Sequence, residues 1–100
     1  MAGFQVTASQ LKAKAGELRE LNSQFKTQVG NLENQEQSLC SMWEGDSKNA
    51  FHTAFNNDKT QMNNFYNLII QYCASLESIA SQYEMAEAKN VSIASTRNYQ

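Results

Sequence analysis

The chain has 100 residues, with eight Lys or Arg against ten Asp or Glu, 41% hydrophobic residues and no proline. That length holds one small domain, spanning residues 1–100. A net charge of −2 without blocks of like sign argues against nucleic acid or an acidic membrane surface as a partner.

Without proline nothing forces a helix to break, so an all-α protein is the first expectation. The opening stretch "MAGFQVTASQLKAK" lacks the apolar core of a cleavable signal peptide. The longest purely aliphatic run, Leu68-Ile69-Ile70, is far too short to span a bilayer. These rules describe a soluble chain made in the cytoplasm, without a transmembrane segment. Any export would need a route that reads folded or C-terminal features.

The first helix has a legible start. Thr7 and Gln10 are spaced as a capping box, and Val6 with Leu11 as a hydrophobic staple. Phe4, Leu11, Leu18, Phe25, Leu32 and Leu39 then recur every seven residues. Ala8, Ala15 and Val29 widen that stripe on one flank, Leu21 and Met42 on the other. This is the pattern of an amphipathic helix with a coiled-coil-like seam, placed at about 7–42.

Residues 43–46 interrupt the pattern. Gly45 supplies the positive φ that a short connection between helices needs, and Trp43 is placed to cover the end of the core. A second series follows through Phe51, Phe55, Met62, Phe65, Ile69, Tyr72, Leu76, Ile79, Tyr83 and Ala86, with Asp58 as its polar member. Asp46 or Ser47 can cap its start, and Asn90 suits a left-handed C-terminal cap. The second helix is therefore expected at about 47–88, with residues 89–100 as a flexible tail.

The two series agree about one reversal of the chain at Gly45. Leu39 then faces Phe51, Phe25 faces Phe65, Leu18 faces Tyr72, Leu11 faces Ile79, and Phe4 meets Ala86. Leu32 opposite Asp58 is the mismatch. The expected fold is an antiparallel two-helix hairpin. Tyr66, Ile70, Cys73 and Ala80 on one helix, with Ala15, Leu21 and Val29 on the other, leave apolar surface beside the seam. Pairing of two hairpins into a four-helix bundle, most simply as an antiparallel homodimer, would cover it.

The reactive side chains give no catalytic pattern. In a hairpin Cys40 and Cys73 are offset by about 34 Å along the axis, which excludes an intrachain disulfide. With His52 as the lone histidine their spacing fits no zinc motif, so neither a metal nor any other cofactor is expected. The expectations are free thiols on helix faces, a solvent-facing His52, and solvated Glu17, Glu20, Glu33 and Glu36. Asp58 is the carboxylate expected on the seam, paired with Lys59 or with a partner chain. Lacking a phosphate loop and a nucleophile constellation, the chain does not read as an enzyme.

Trp43-Glu44-Gly45 between two heptad series, with Ala50 and Phe51 soon after it, resembles the WXG-motif family. These are the ESAT-like small substrates of type VII secretion in Gram-positive bacteria, and the resemblance covers nearly the whole chain. The family's Tyr-Xaa-Xaa-Xaa-Asp/Glu export signal matches Tyr83 and Glu87 in "YEMAE". The resemblance implies a secreted dimer, with itself or with a related WXG-type protein, exported without a cleavable signal peptide. Trp43 and Gly45 of one chain and Tyr83 and Glu87 of the other would form a surface read by the secretion ATPase. Within the same resemblance, the alternative is a helical adaptor that pairs with and targets a larger toxin.

Overall fold

The structure is a computed structural model and describes the backbone of residues 6–98 and the side chains of residues 6–90. Helix α1 runs Ala8–Ser41 and helix α2 runs Asp46–Asn98. Joined by a single short turn, they make the chain an all-α helical hairpin, with no strand among the described residues. It divides into two compact units: Arg19–Ile70, which contains the turn, and a second built from the segments up to Leu18 and from Gln71.

The capping box forms as its spacing requires. Gln10 N donates to Thr7 Oγ1 at 3.1 Å, and Thr7 N donates to Gln10 Oε1 at 2.9 Å. Two orphan amides at the start of α1 are thereby satisfied. At the other end Met42 N donates to Leu39 O and Trp43 N to Cys40 O, tightening the last turn. Gly45 then takes φ +110°, which an L side chain rarely adopts, and its carbonyl accepts from Lys48 N as α2 begins. Asp46 sits in the first turn of α2, where a carboxylate complements the helix dipole, rather than before it as a cap.

The tail expected from residue 89 is not what forms. Helix α2 continues through Asn90 to Asn98. A left-handed cap at Asn90 would need positive φ, and among the described residues only glycine has it. Beyond Gly45 the sequence offers neither glycine nor proline to stop the helix. Phe4 and the last two residues lie outside the described residues.

The seam also differs from expectation. In the second of these units the buried side chains are Ala8 and Ala15 on α1 with Cys73 and Ala80 on α2. In the turn unit they are Asn22, Val29, Glu36 and Cys40, with Lys59 and Tyr66 half-buried. On α1 all of these positions but Cys40 again recur every seven residues, on the flank of the large apolar series. The large residues themselves split. Leu11, Phe25, Phe55, Met62, Ile69 and Leu76 are half-buried, whereas Leu18, Leu32, Leu39, Phe51, Phe65, Tyr72 and Ile79 remain exposed in the single chain. Cys73 and Ala80, read as surplus surface, lie inside. In the unit of Ala8, Ala15, Cys73 and Ala80 the reason is steric: small side chains on the facing line leave room for two helix backbones to approach, so bulky neighbours stand on the flanks.

Pairing across the turn unit is antiparallel and close to the expected register. The rings of Phe25 and Phe65 meet edge to face with centroids 5.7 Å apart. Asn22 Nδ2 donates to Tyr66 O at 3.0 Å, and Lys26 Nζ lies 4.5 Å from the centre of the Tyr66 ring. Lys59 pairs with Glu33 of α1 rather than with Asp58, which is exposed. Because Ala15 has no exposed surface, Ala15→Leu is expected to overpack the seam and to cost about 1–3 kcal/mol in urea unfolding followed by circular dichroism.

Candidate functional site

Two places in the fold carry more than packing. The first is the turn and the helix ends beside it. Trp43 is half-buried and its ring lies 5.6 Å from that of Phe51, so the turn closes on an aromatic pair. Next to it Leu32, Leu39, Met42, Phe51 and Phe55 line an open, mainly apolar groove.

Behind that groove Glu36, Cys40 and His52 converge. Glu36 and Cys40 are four residues apart and share one face of α1. His52 comes from the second turn of α2. Its Nδ1 lies 2.5 Å from Glu36 Oε1, and Cys40 Sγ donates to the same oxygen at 3.1 Å. Asn56 Nδ2 stands 3.2 Å from His52 Nε2, which assigns the proton to Nδ1 and makes Nε2 the acceptor. The hydrogen bond from His52, then that from Cys40, holds the Glu36 carboxyl below the ordinary range, against the opposing effect of desolvation. The hydrogen bond to Glu36, then desolvation, pushes the Cys40 thiol up.

This cluster is absent from the sequence-based reading, which set both Glu36 and His52 facing solvent. Two signals pointed to it. Position 36 continues the seven-residue line of Ala8, Ala15, Asn22 and Val29, and the antiparallel register carries His52 to that level of α1.

The second place is the end of α2 that packs near the start of α1. Tyr83 and Glu87 share a helix face, and both are exposed. Glu87 Oε1 accepts from Ala8 N at 3.4 Å, and Glu84 forms an ion pair with Lys12. A carboxylate at the first turn of α1 is favoured by the dipole there. The structure therefore gives Glu87 a local partner, while the Tyr83 ring keeps nearly half of its surface in solvent.

Lowering of the Glu36 pKa has a definite sign. The folded protein holds that proton more weakly than the unfolded chain, so the contribution to stability is full above the ordinary glutamate range. It falls away as the pH drops through that range towards the lower folded value. In metal-free protein the stability gap between wild type and Glu36→Gln is expected to shrink on acidification from pH 7 to pH 3. Thermal melts across that range check it.

The chain is similar to known proteins in both sequence and structure. The family model described as proteins of 100 residues with WXG, WXG100, matches residues 3–88. The secreted protein EsxB from Bacillus anthracis str. Sterne is similar in structure, with a TM-score of 0.76 at 23% identity over 87% of this chain and 99% of that one. Wild-type EsxB from the same organism, crystallised in space group P21, gives a TM-score of 0.74 at 24% identity over 84% of this chain and 97% of that one. No curated protein sequence matches. The chain belongs to the WXG100 family, and Trp43-Glu44-Gly45 is its eponymous turn.

Proposed function

From that membership we propose that the protein is a substrate of a type VII secretion system, exported as a folded dimer and acting through protein–protein contact rather than catalysis. The family match over residues 3–88, with its motif at the helix–helix turn, carries this reading. The large apolar side chains left exposed by a single chain support the dimer. Leu18, Leu32, Leu39, Phe51, Phe65, Tyr72 and Ile79 are more than a lone hairpin would leave in water without a use. A second copy lying antiparallel is the symmetric way to cover them.

In that dimer Trp43 and Gly45 of one protomer approach Tyr83 and Glu87 of its partner. The composite surface is what the membrane-bound secretion ATPase recognises. Tyr83 offers an exposed aromatic ring, and Glu87 a carboxylate one helical turn further on the same face.

Tyr83→Ala and Glu87→Ala are each expected to lower the exported fraction at least tenfold, while cellular level and helicity stay unchanged. Glu87→Asp should restore export, because it keeps the charge. Quantifying protein in culture supernatant and cell pellet checks this. Undiminished export of both alanine variants would overturn the signal assignment. Export that depends on co-expression of a larger substrate would favour the adaptor role instead.

A further inference from the structure

The Glu36, Cys40 and His52 cluster is not used by the secretion reading, and its chemistry points elsewhere. One carboxylate oxygen, one thiol sulfur and one imidazole nitrogen lie within 4.8 Å of one another. They arrive from two helices, and Glu36 and Cys40 are both buried. We propose that Glu36, Cys40 and His52 form a binding site for a single zinc-class divalent cation that ties α1 to α2 beside the turn.

The donor set fits such an ion. Zinc takes thiolate, imidazole and carboxylate ligands at about 2.0–2.3 Å, and tetrahedral geometry then separates the donors by roughly 3.3–3.6 Å. The present separations of 3.1 Å between Cys40 Sγ and Glu36 Oε1 and 2.5 Å between His52 Nδ1 and the same oxygen are hydrogen-bond distances. Two protons now occupy the space that one cation would take. Opening these two sides by less than about an ångström, and closing the Cys40–His52 side from within 4.8 Å, asks only for side-chain adjustment, because His52 lies at the solvent edge with about half of its side chain exposed. The fourth position faces that edge and is filled by water. A thiolate with an imidazole selects zinc or cobalt over magnesium or calcium, which prefer oxygen alone.

The exchange balances. Before binding, Glu36 Oε1 accepts from the Cys40 thiol and from His52 Nδ1, and His52 Nε2 accepts from Asn56 Nδ2. On binding, the Cys40 proton leaves to solvent and Nδ1 coordinates, while the imidazole proton moves to Nε2. The Asn56 amide, turned over, accepts that proton through Oδ1 and fixes the ring, the usual role of a group behind a metal-bound histidine. A dication then faces two anionic ligands, and the site becomes neutral.

The test uses the full chain, freed of metal and kept in a phosphine reductant. Cobalt(II) is expected to saturate at one equivalent per chain with a thiolate-to-cobalt charge-transfer band, and zinc to displace it with release of about one proton. Zinc should raise the melting temperature of wild type. Cys40→Ala is expected to abolish the charge-transfer band, and Cys73→Ala to keep it. His52→Asn and Glu36→Gln should each weaken zinc binding at least tenfold in competition with a chromophoric chelator, and Asn56→Ala about tenfold. Circular dichroism establishes that each variant is helical, and His52→Asn changes a surface-edge residue that the fold tolerates. Absence of a saturable cobalt band in wild type overturns the site. So does a band lost in Cys73→Ala but kept in Cys40→Ala, or a helical His52→Asn that binds zinc like wild type.

Discussion

Close approach of two helices along a narrow line governs what the rest of this protein does. In one unit that line is Ala8 and Ala15 against Cys73 and Ala80, side chains small enough to bring the backbones together. In the other it passes through Asn22, Val29 and Glu36, with Lys59 and Tyr66 half-buried opposite. Large apolar residues do not fit on the line of Ala8, Ala15, Cys73 and Ala80, and in both units several of them stand on the flank, exposed in the single chain. Burying a large apolar side chain contributes about 1.5–3 kcal/mol. Those left exposed by the hairpin therefore favour association, which is the ground for the proposed dimer.

The polar members of the seam do a different job. An unpartnered buried donor or acceptor costs about 1–3 kcal/mol, and none is left among the described side chains. Asn22 reaches the Tyr66 carbonyl, Lys59 meets Glu33, and Glu36 takes hydrogen bonds from both Cys40 and His52. The Asn22–Tyr66, Lys59–Glu33 and His52–Glu36 pairs each join α1 to α2 and exist at one register, whereas Cys40 meets Glu36 within α1. Sliding the helices by a turn would strand them, so the polar groups select the register that the apolar groups only favour. The surface ion pair of Lys12 and Glu84 adds little, since both side chains are about half exposed.

Much of this was legible in the residues themselves. The capping box at Thr7 and Gln10, the glycine turn, the two heptad series and the pairing of Phe25 with Phe65 follow from spacing alone. What spacing does not tell is which neighbour a wide apolar stripe faces. Leu18 and Ala15 both lie on it, and only the distance between backbones puts Ala15 inside and Leu18 at the edge. Charge misled in the same way. Glu36 looks like a solvated glutamate, and Asp58 like a seam carboxylate, because hydrophobicity ranks residue types and not partners. Once His52 and Cys40 are at hand, burying Glu36 is compensated, whereas Asp58 has no need to turn inward. The end of α2 was misjudged because asparagine permits a helix to stop without requiring it.

The central claim is that a second copy of this chain covers the exposed flank of the hairpin. It is tested most directly by the solution mass, from light scattering on purified protein in reductant, with Phe65→Glu measured alongside. A mass of twice the 11.3 kDa chain is predicted for wild type, with a shift towards the monomer in the variant, since Phe65 stands on the flank with half of its surface exposed. A helical wild-type protein at the mass of one chain, unchanged across concentration, would contradict the account and mean that the flank is covered by a different chain.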